Sequence, residues 1–437
     1  MAGDRKVRAV PAGRLERLLG IGAMAGSIGA SVALNGARQL LSGTPPNLAE
    51  LLLAPANAVK VADKLSHMRG AVMKMGQLLS MDAGQILPVE WSLVLARLQA
   101  DASPMPVFQL ERQLVQHWGP RWRDQFEHFA MVPIAAASIG QVHRARTRTG
   151  RDLAVKVQYP GVAASIDSDL DNLVSLLRTS RMIPADVPLE ALKAEARRQL
   201  HEEADYLHEA AQMTAYGGLI ADDPTLLVPE VEVALTGGAV LAMSYVESEP
   251  IDWLANRPQA ERNRVAERLI RLTLQEVFEF GLIQTDPNFA NFRYQPKSGR
   301  IVLLDFGASR TIPAALTAQL RQLLRAALSR DKAAQRQSII EIGYFTPQQH
   351  RLAALAIDLL AMGMDDVLAG SQFDFAAADL PRRASDRALA EGFAADLWSI
   401  PPIDALFIHR KIGGIYLLAS RLGAVIDIHA LLDEFAN

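Results

Sequence analysis

The sequence predicts an α+β fold, mostly helical, in which two lobes follow a helical N-terminal extension. Three observations predict it. The chain has 437 residues, half of them hydrophobic, enough to bury a large core and to build more than one lobe. It is rich in Ala, Leu and Arg and only 6% aromatic, a composition that favours helices. Strand-like patterning is confined to a few short blocks, of which residues 135–158 and 228–246 are the clearest. The formal net charge of −3 leaves no general nucleic-acid footprint, so no nucleic acid is expected as a partner. The chain has no cysteine, which excludes disulfides and thiolate metal sites. No charged n-region, apolar core and cleavage site stand in secretory order at the N-terminus.

Residues 1–45 read as a basic tail and a glycine-rich helix. Arg5, Lys6, Arg8, Arg14 and Arg17 precede an uncharged run from Leu18 to Ala37. That run is long enough for a bilayer, yet it is built from Gly, Ala and Ser. Gly22 and Gly26 stand at the interval that lets helices approach closely, and Ala25 and Gly29 continue it. Two readings stay open. One is a membrane-touching or self-associating helix, with a basic flank for an anionic lipid surface and a homodimer as the associated form. The other is a helix packed on the protein's own body. Residues 46–130 read as a helical extension that begins after Pro45-Pro46. Met68, Val72, Met75 and Leu79 recur at helical spacing, and Lys74 and Gln77 share another face. Residues 88–129 read as further helices, with Trp91, Trp118 and Trp122 in their packing.

Residues 131–247 form the first lobe. Two strands joined by a Gly-containing turn run through I-A-A-A-S-I-G-Q-V-H-R-A-R and D-L-A-V-K-V-Q-Y. Alternation points Lys156 away from Val155 and Val157. The turn Ala135-Ala136-Ala137-Ser138 carries Cβ atoms, and alanine avoids positive φ. Ala163 to Arg178 reads as a helix whose Asp167, Asp169 and Asp171 complement the dipole. The stretch from Glu190 to Ala211 reads as one long helix, on which Asp205 and Glu209 share a face and Glu203 points elsewhere. His201 and His208 are surface residues on it, because no third metal ligand accompanies them. Two apolar strands flank Thr236-Gly237-Gly238, and the second leads toward the next lobe at Ser244 to Val246.

Residues 248–437 form the second, helical lobe. Its informative stretch is Gln284 to Gly307. Asp286 is followed five residues on by Asn291, and Asp305 opens an Asp-Phe-Gly triplet after the apolar run Ile301 to Leu304. That is the spacing by which protein-kinase-like folds hold nucleotide-bound magnesium. The prediction is therefore a protein-kinase-like bilobal fold with ATP and Mg2+ as cofactors. Asn291 and Asp305 are suitable oxygen ligands for a hard cation. Asp286 would face the reacting phosphoryl group. Lys156 would be the phosphate-binding strand Lys, with Glu209 as its helical partner. Ala135 to Ser138 would cover the phosphates, and an adenine ring would dock near Ser244 to Val246. After the triplet, Ala308 to Arg310 runs quickly into a helix over Ala314–Leu328, with no long activation segment and no A-P-E. Gln284-Thr285 stand where protein kinases carry His-Arg. Both features argue against a conventional protein kinase. His409 to Gly414 reads as a basic patch before a capped core helix, and no later segment is long and apolar enough to demand a membrane span.

Together these motifs resemble the UbiB family of atypical kinase-like proteins, close to its mitochondrial coenzyme Q-biosynthesis members. The resemblance rests on K-M-G-Q at Lys74 to Gln77, A-A-A-S-I-G-Q-V-H at Ala135 to His143 and A-V-K-V-Q-Y-P-G-V at Ala154 to Val162. It continues through E-A-D-Y at Glu203 to Tyr206, Q-T-D-P-N-F-A-N-F at Gln284 to Phe292 and L-L-D-F-G-A at Leu303 to Ala308. It implies the roles just given for Lys156, Glu209, Asp286, Asn291 and Asp305. It also implies that Lys74 and Gln77 come from an extension lying across the active site, with Lys74 meeting Glu203 and Asp205 facing the nucleotide. It implies a kinase-like ATPase that supports ubiquinone biosynthesis. The implied partners are ubiquinone precursors or other lipids, quinone-biosynthesis enzymes and a membrane surface. The implied place is the bacterial cytoplasm, peripheral to the inner membrane. Two alternatives accompany this reading: phosphoryl transfer to a small molecule or protein, and a non-catalytic nucleotide-sensing scaffold.

Overall fold

The computed structural model describes residues 68–82, 104–180, 189–346, 348–390 and 403–437. The Leu18–Ala37 run and Trp91 lie outside them. The chain divides into two compact units. Among the described residues, the first comprises those up to Ala211 together with Glu230–Val246, and the second comprises Gln212–Pro229 and those from Glu247 to Asn437.

The first unit is built on an antiparallel sheet of β1 (Phe126–Phe129), β2 (Ala135–Ala136), β3 (Gly140–Thr147), β4 (Asp152–Gln158) and β5 (Val240–Ser244). Its order is β1-β3-β4-β5, with β2 on the free end of β3. Period-two patterning puts Leu153, Val155 and Val157 on one face of β4, all fully buried, and Lys156 on the other. That apolar face packs on Leu110 and Leu114 of the helix Val107–Trp118 and on Trp122. Phe126–Phe129 is a strand, not the expected helix. Aromatic side chains favour a pleated, half-buried edge, and Phe126 and Phe129 join Trp118 and Trp122 in one ring cluster with centroids 5.1–6.3 Å apart.

Gln141 and His143 are buried within this sheet and belong to its architecture. The Met105 amide donates to Gln141 Oε1 at 2.9 Å. Gln141 Nε2 lies 2.8 Å from His143 Nε2, and His143 Nδ1 lies 2.8 Å from the Ala130 carbonyl. A carbonyl can only accept, so Nδ1 carries the proton and Nε2 accepts from Gln141. Burial holds this imidazole below its ordinary pKa, against the opposing pull of the Ala130 carbonyl. The unfolded chain therefore takes up the proton first. The stability involved is complete above the unfolded pKa of about 6.5 and is lost as pH falls through that value toward the folded one. The denaturation midpoint, followed through tryptophan fluorescence, should fall between pH 7 and pH 5. His143→Asn should flatten that slope; an equally steep slope in the variant would remove His143 from the account.

Helices α1 (Arg69–Asp82), α2 (Val107–Trp118), α3 (Val162–Ser180), α4 (Leu189–Glu203) and the start of α5 (Tyr206–Leu219), as far as Ala211, complete the described part of this unit. Met68, Val72 and Met75 are buried where α1 meets α3 and α4. The acids of α3 lie beyond its first turn. Asp167 meets Arg197 at 2.8 Å and His201 at 3.2 Å, and Asp171 meets Lys193 at 3.2 Å, so they tie α3 to α4 in place of the expected dipole role. The expected single helix from Glu190 to Ala211 is two helices. Asp205 interrupts it, because its short carboxylate caps α5 by accepting the His208 amide at 3.0 Å. Of the two strands expected around Thr236, only β5 forms; the other run makes a 3-10 turn over Val233–Leu235 and an isolated bridge from Val231 to Met243.

The second unit is mostly helical: α6 (Gln259–Gln275), α7 (Ala314–Leu328), α8 (Lys332–Ile342), α9 (His350–Leu368), α10 (Leu380–Ala390), α11 (Ile403–Arg421) and α12 (Ile428–Ala436). The end of α6 widens into a π-turn, Glu276–Phe280, which turns Glu276 and Val277 inward. Two short antiparallel pairs follow. Strand β6 (Leu282–Gln284) pairs with β9 (Ser309–Thr311), and β7 (Phe292–Gln295) pairs with β8 (Arg300–Leu303). Among the described residues no helix is long and apolar enough to cross a membrane.

Candidate active site

In the first unit the sheet presents Lys156 on the face opposite its apolar core. Lys156 Nζ lies 3.0 and 2.9 Å from the two carboxylate oxygens of Glu209, and 4.9 Å from the centre of the Tyr206 ring. Glu209 stands on the first turn of α5, where the helix N-terminus favours a negative charge. Its side chain is buried, whereas Lys156 keeps 13% of its side-chain surface exposed. Beside this pair, Lys74 Nζ lies 2.5 Å from Glu203 Oε1, and the Ser138 hydroxyl donates to Glu203 Oε2 at 2.7 Å. Burial alone would raise the Glu203 carboxyl. The Lys74 ammonium and the Ser138 hydroxyl outweigh it, and the net shift is downward. The Gln77 side chain lies outside the described residues. Asp205 is committed to capping α5.

The alanine-rich turn is closed by the protein itself. Ala135 and Ala136 pair with Val142 and Gln141, and the Ala137 amide donates to the Gly140 carbonyl at 2.8 Å. None of residues 135–138 has positive φ, so alanine fits without strain. Gly140 is required by a close approach: a Cβ there would stand 2.5 Å from the Val157 carbonyl oxygen. At the other end of the sheet, the Ser244 amide donates to the Glu230 carbonyl at 2.8 Å and its hydroxyl accepts the Glu230 amide at 2.9 Å. Tyr245 donates its amide to Asp152, and the unit ends at Val246.

In the second unit the two pairs of short strands bring the motif residues together. Asn291 Nδ2 donates to the Asp286 carbonyl at 3.0 Å and to Asp286 Oδ2 at 3.3 Å. Both partners only accept, so the amide nitrogen must face them and the amide oxygen is turned elsewhere, available to a cation. The Leu304 amide donates to the Asn291 carbonyl at 3.0 Å, which joins this loop to the strand before the triplet. Asp305 Oδ1 accepts the Gly307 amide at 3.2 Å. Asn288 caps the short turn before Asn291 by accepting the Ala290 amide. An amide oxygen and a carboxylate form the hard-oxygen set that magnesium takes, with water and phosphate completing its shell. Among the described residues no cluster of three or more His, Cys, Asp or Glu offers a separate metal site.

The residues around the triplet explain the short connection that follows it. Thr285 donates its hydroxyl to the Ala308 carbonyl at 2.6 Å, and Ser309–Thr311 pairs straight back onto β6. Pro313 then starts α7 over the expected residues. Phe306 is buried with its ring 4.9 Å from Tyr216. One region departs from expectation. His409 to Gly414 lies in the middle of α11, not ahead of a helix. Arg410 Nη2 reaches Asp286 Oδ1 at 3.3 Å, and Lys411 is buried against Glu276 and Gln284. The sequence held a signal for this. Lys411 falls in the apolar stripe of Ile408, Ile415, Leu418 and Leu422, all buried, where a lone cation requires a buried partner.

The ABC1 atypical kinase-like domain matches residues 97–339. The mitochondrial atypical kinase COQ8 of Saccharomyces cerevisiae is 36% identical over 436 residues, covering 98% of this chain and 86% of its own. The mitochondrial atypical kinase COQ8B of Rattus norvegicus is 34% identical, covering 98% of this chain and 81% of its own. Among solved structures, Mycobacterium tuberculosis Rv3197, determined with erythromycin, superposes with a TM-score of 0.62 at 24% identity, covering 89% of this chain and 98% of that one. The fold is the α+β, protein-kinase-like bilobal fold that the motifs predicted. The expected bacterial cytoplasmic location at an inner membrane is overturned, because the relatives are eukaryotic proteins named as mitochondrial.

Proposed function

The chain belongs to the ABC1 atypical kinase-like family, the UbiB family whose motifs it carries, and from that premise we propose that it is an ATP- and Mg2+-binding kinase-like ATPase that supports coenzyme Q biosynthesis. The observation that carries the reading is the Asp286–Asn291 contact. It orients the Asn291 amide so that only its oxygen is offered to a cation. Magnesium, when bound, supplies charge neutralisation on the phosphoryl oxygens. The protein's own residues do the rest. Lys156, held by Glu209, neutralises phosphate charge. Asn291 and Asp305 hold the metal, and Asp286 faces the group being transferred. Lys74, latched on Glu203, controls the nucleotide side of the first unit through Ser138. The return of Ser309–Thr311 onto β6 leaves no extended segment to seat a peptide, which favours ATP hydrolysis or a small acceptor over a protein one.

The test is phosphate release from ATP by the purified protein with Mg2+, followed by the quinone intermediates of cells lacking the protein and complemented with it. Turnover together with restored intermediates supports the reading. Tight ATP binding without turnover, even with lipid present, points to a nucleotide-sensing scaffold instead. The alanine-rich turn gives a separate expectation. Ala137→Gly removes a Cβ and lets the backbone approach phosphate. One added charge-assisted hydrogen bond contributes about 1.5–3 kcal/mol, against about 0.5–1 kcal/mol of lost backbone entropy. Nucleotide binding measured by calorimetry should tighten severalfold. Superimposable isotherms would remove the turn from the mechanism.

A further inference from the structure

We propose that Gln284 is a positioning residue of the phosphoryl-transfer site, and that its side-chain amide, set by Lys411 on Glu276, fixes the separation of Asp286 and Asp305. The inference rests on the ATP–magnesium reading for its consequence, but the tether itself is visible without it. Gln284 Nε2 donates to the Asp286 carbonyl at 2.8 Å and to the Asp305 carbonyl at 3.1 Å. Its Oε1 accepts from Lys411 Nζ at 3.0 Å. Lys411 also lies 3.2 Å from Glu276 Oε1, and that carboxylate accepts the Tyr216 hydroxyl at 2.7 Å and the Gln284 amide at 3.1 Å. Gln284, Lys411 and Glu276 are all buried.

The chemistry permits one arrangement. An ammonium only donates, so it must face the amide oxygen. The two main-chain carbonyls only accept, so they must face the NH2 group, which has two hydrogens to give. Glutamine has this donor and acceptor pattern, glutamate lacks the donors and neutral histidine has a single one. Helix α11 comes near enough for Lys411 to act because residue 414 is glycine: a Cβ there would stand 2.3 Å from Cβ of Pro287. A small cavity lined by Glu276, Gln284, Asn291, Asp305 and Lys411 shows that the tether backs directly onto the metal residues. Residues behind metal ligands set ligand orientation, and their loss lowers metal affinity by about 10- to 100-fold.

The test uses the full chain as wild type, Gln284→Glu and Gln284→His. The glutamate variant keeps shape and gives Lys411 a carboxylate, but turns two donors into acceptors. Two readouts are taken. Hydrogen exchange without nucleotide is followed for residues 285–292 and 304–309. Mn2+ binding in the presence of ATP is titrated by electron paramagnetic resonance. Gln284→Glu should speed exchange in those two segments and leave α8 and α9 unchanged, and should weaken Mn2+ binding about tenfold or more. Gln284→His should fall between it and wild type, and it decides the matter should the glutamate variant not fold. Wild-type exchange in both segments of a folded variant would overturn the tether. Faster exchange with unaltered Mn2+ affinity would overturn the positioning role. A wild type that binds no Mn2+ with ATP, while exchange still rises in the variants, would remove the nucleotide reading and leave the tether standing.

Discussion

Asp305→Asn should lower ATP turnover about a thousandfold and leave the protein folded. The expected size follows from removing one preorganised charge at a site where charge develops, which costs about 10²–10³ in rate, in a reaction that relies on electrostatics more than on covalent chemistry. An amide is nearly the same shape as the carboxylate but carries no charge to hold a divalent ion. Asp305 Oδ1 accepts the local Gly307 amide at 3.2 Å, and an asparagine oxygen accepts it equally well. The melting temperature should therefore stay within about 2 °C of wild type. Phosphate release and circular dichroism, measured on the same preparation, check both halves. In cells, the variant should leave quinone intermediates as they are without the protein. Full turnover by a folded Asp305→Asn protein would detach the triplet from catalysis.

How much of this was legible in the sequence depends on how local each cause is. Strand β4 was legible because Leu153, Val155 and Val157 alternate with polar neighbours, and alternation is a local signal. The α7 boundaries were legible because Pro313 precedes a regular run. The break between α4 and α5 was harder to see. Asp205 interrupts an otherwise helical pattern only because its carboxylate finds the His208 amide. The Phe126–Phe129 strand depends on partners in β3 and on two tryptophans, and so is set by tertiary packing. At the candidate site, the spacing of Asp286, Asn291 and Asp305 marked out in the sequence the segments that the fold brings together. Gln284 and Arg410 were not marked out, because the contacts of Gln284 with Asp305 and of Arg410 with Asp286 join residues 21 and 124 apart in sequence, and Lys411 left only the trace of a cation in an apolar stripe. A glutamine in place of a histidine looked like a departure from kinase chemistry. In the folded chain it supplies hydrogen bonds to the carbonyls of both Asp286 and Asp305.

The same network governs the second large effect, which is on stability. Lys411→Met should destabilise the protein by about 3–5 kcal/mol, the usual consequence of leaving a buried charge without its partner. For a unit of this size that lowers the melting temperature by roughly 10 °C. Met fills the volume well, so the loss measures the stranded Glu276 charge more than lost packing. Tyr216 and the Gln284 amide still donate to that carboxylate, but neither neutralises it. Neutralising both sides, as Lys411→Met with Glu276→Gln, should recover most of the loss, because a buried pair replaced together costs far less than one broken. The pH dependence has a definite sign. Burial already raises the Glu276 pKa against the pull of Lys411, and removing the ammonium lets it rise further. A carboxyl with a raised folded pKa contributes stability that is complete below its unfolded value of about 4.3 and lost as pH rises through the folded value. The Lys411→Met deficit should therefore be smaller at pH 5 than at pH 8, while the double variant shows little change between them. A single variant as stable as wild type at pH 8 would mean that the pair is not carrying opposite charges.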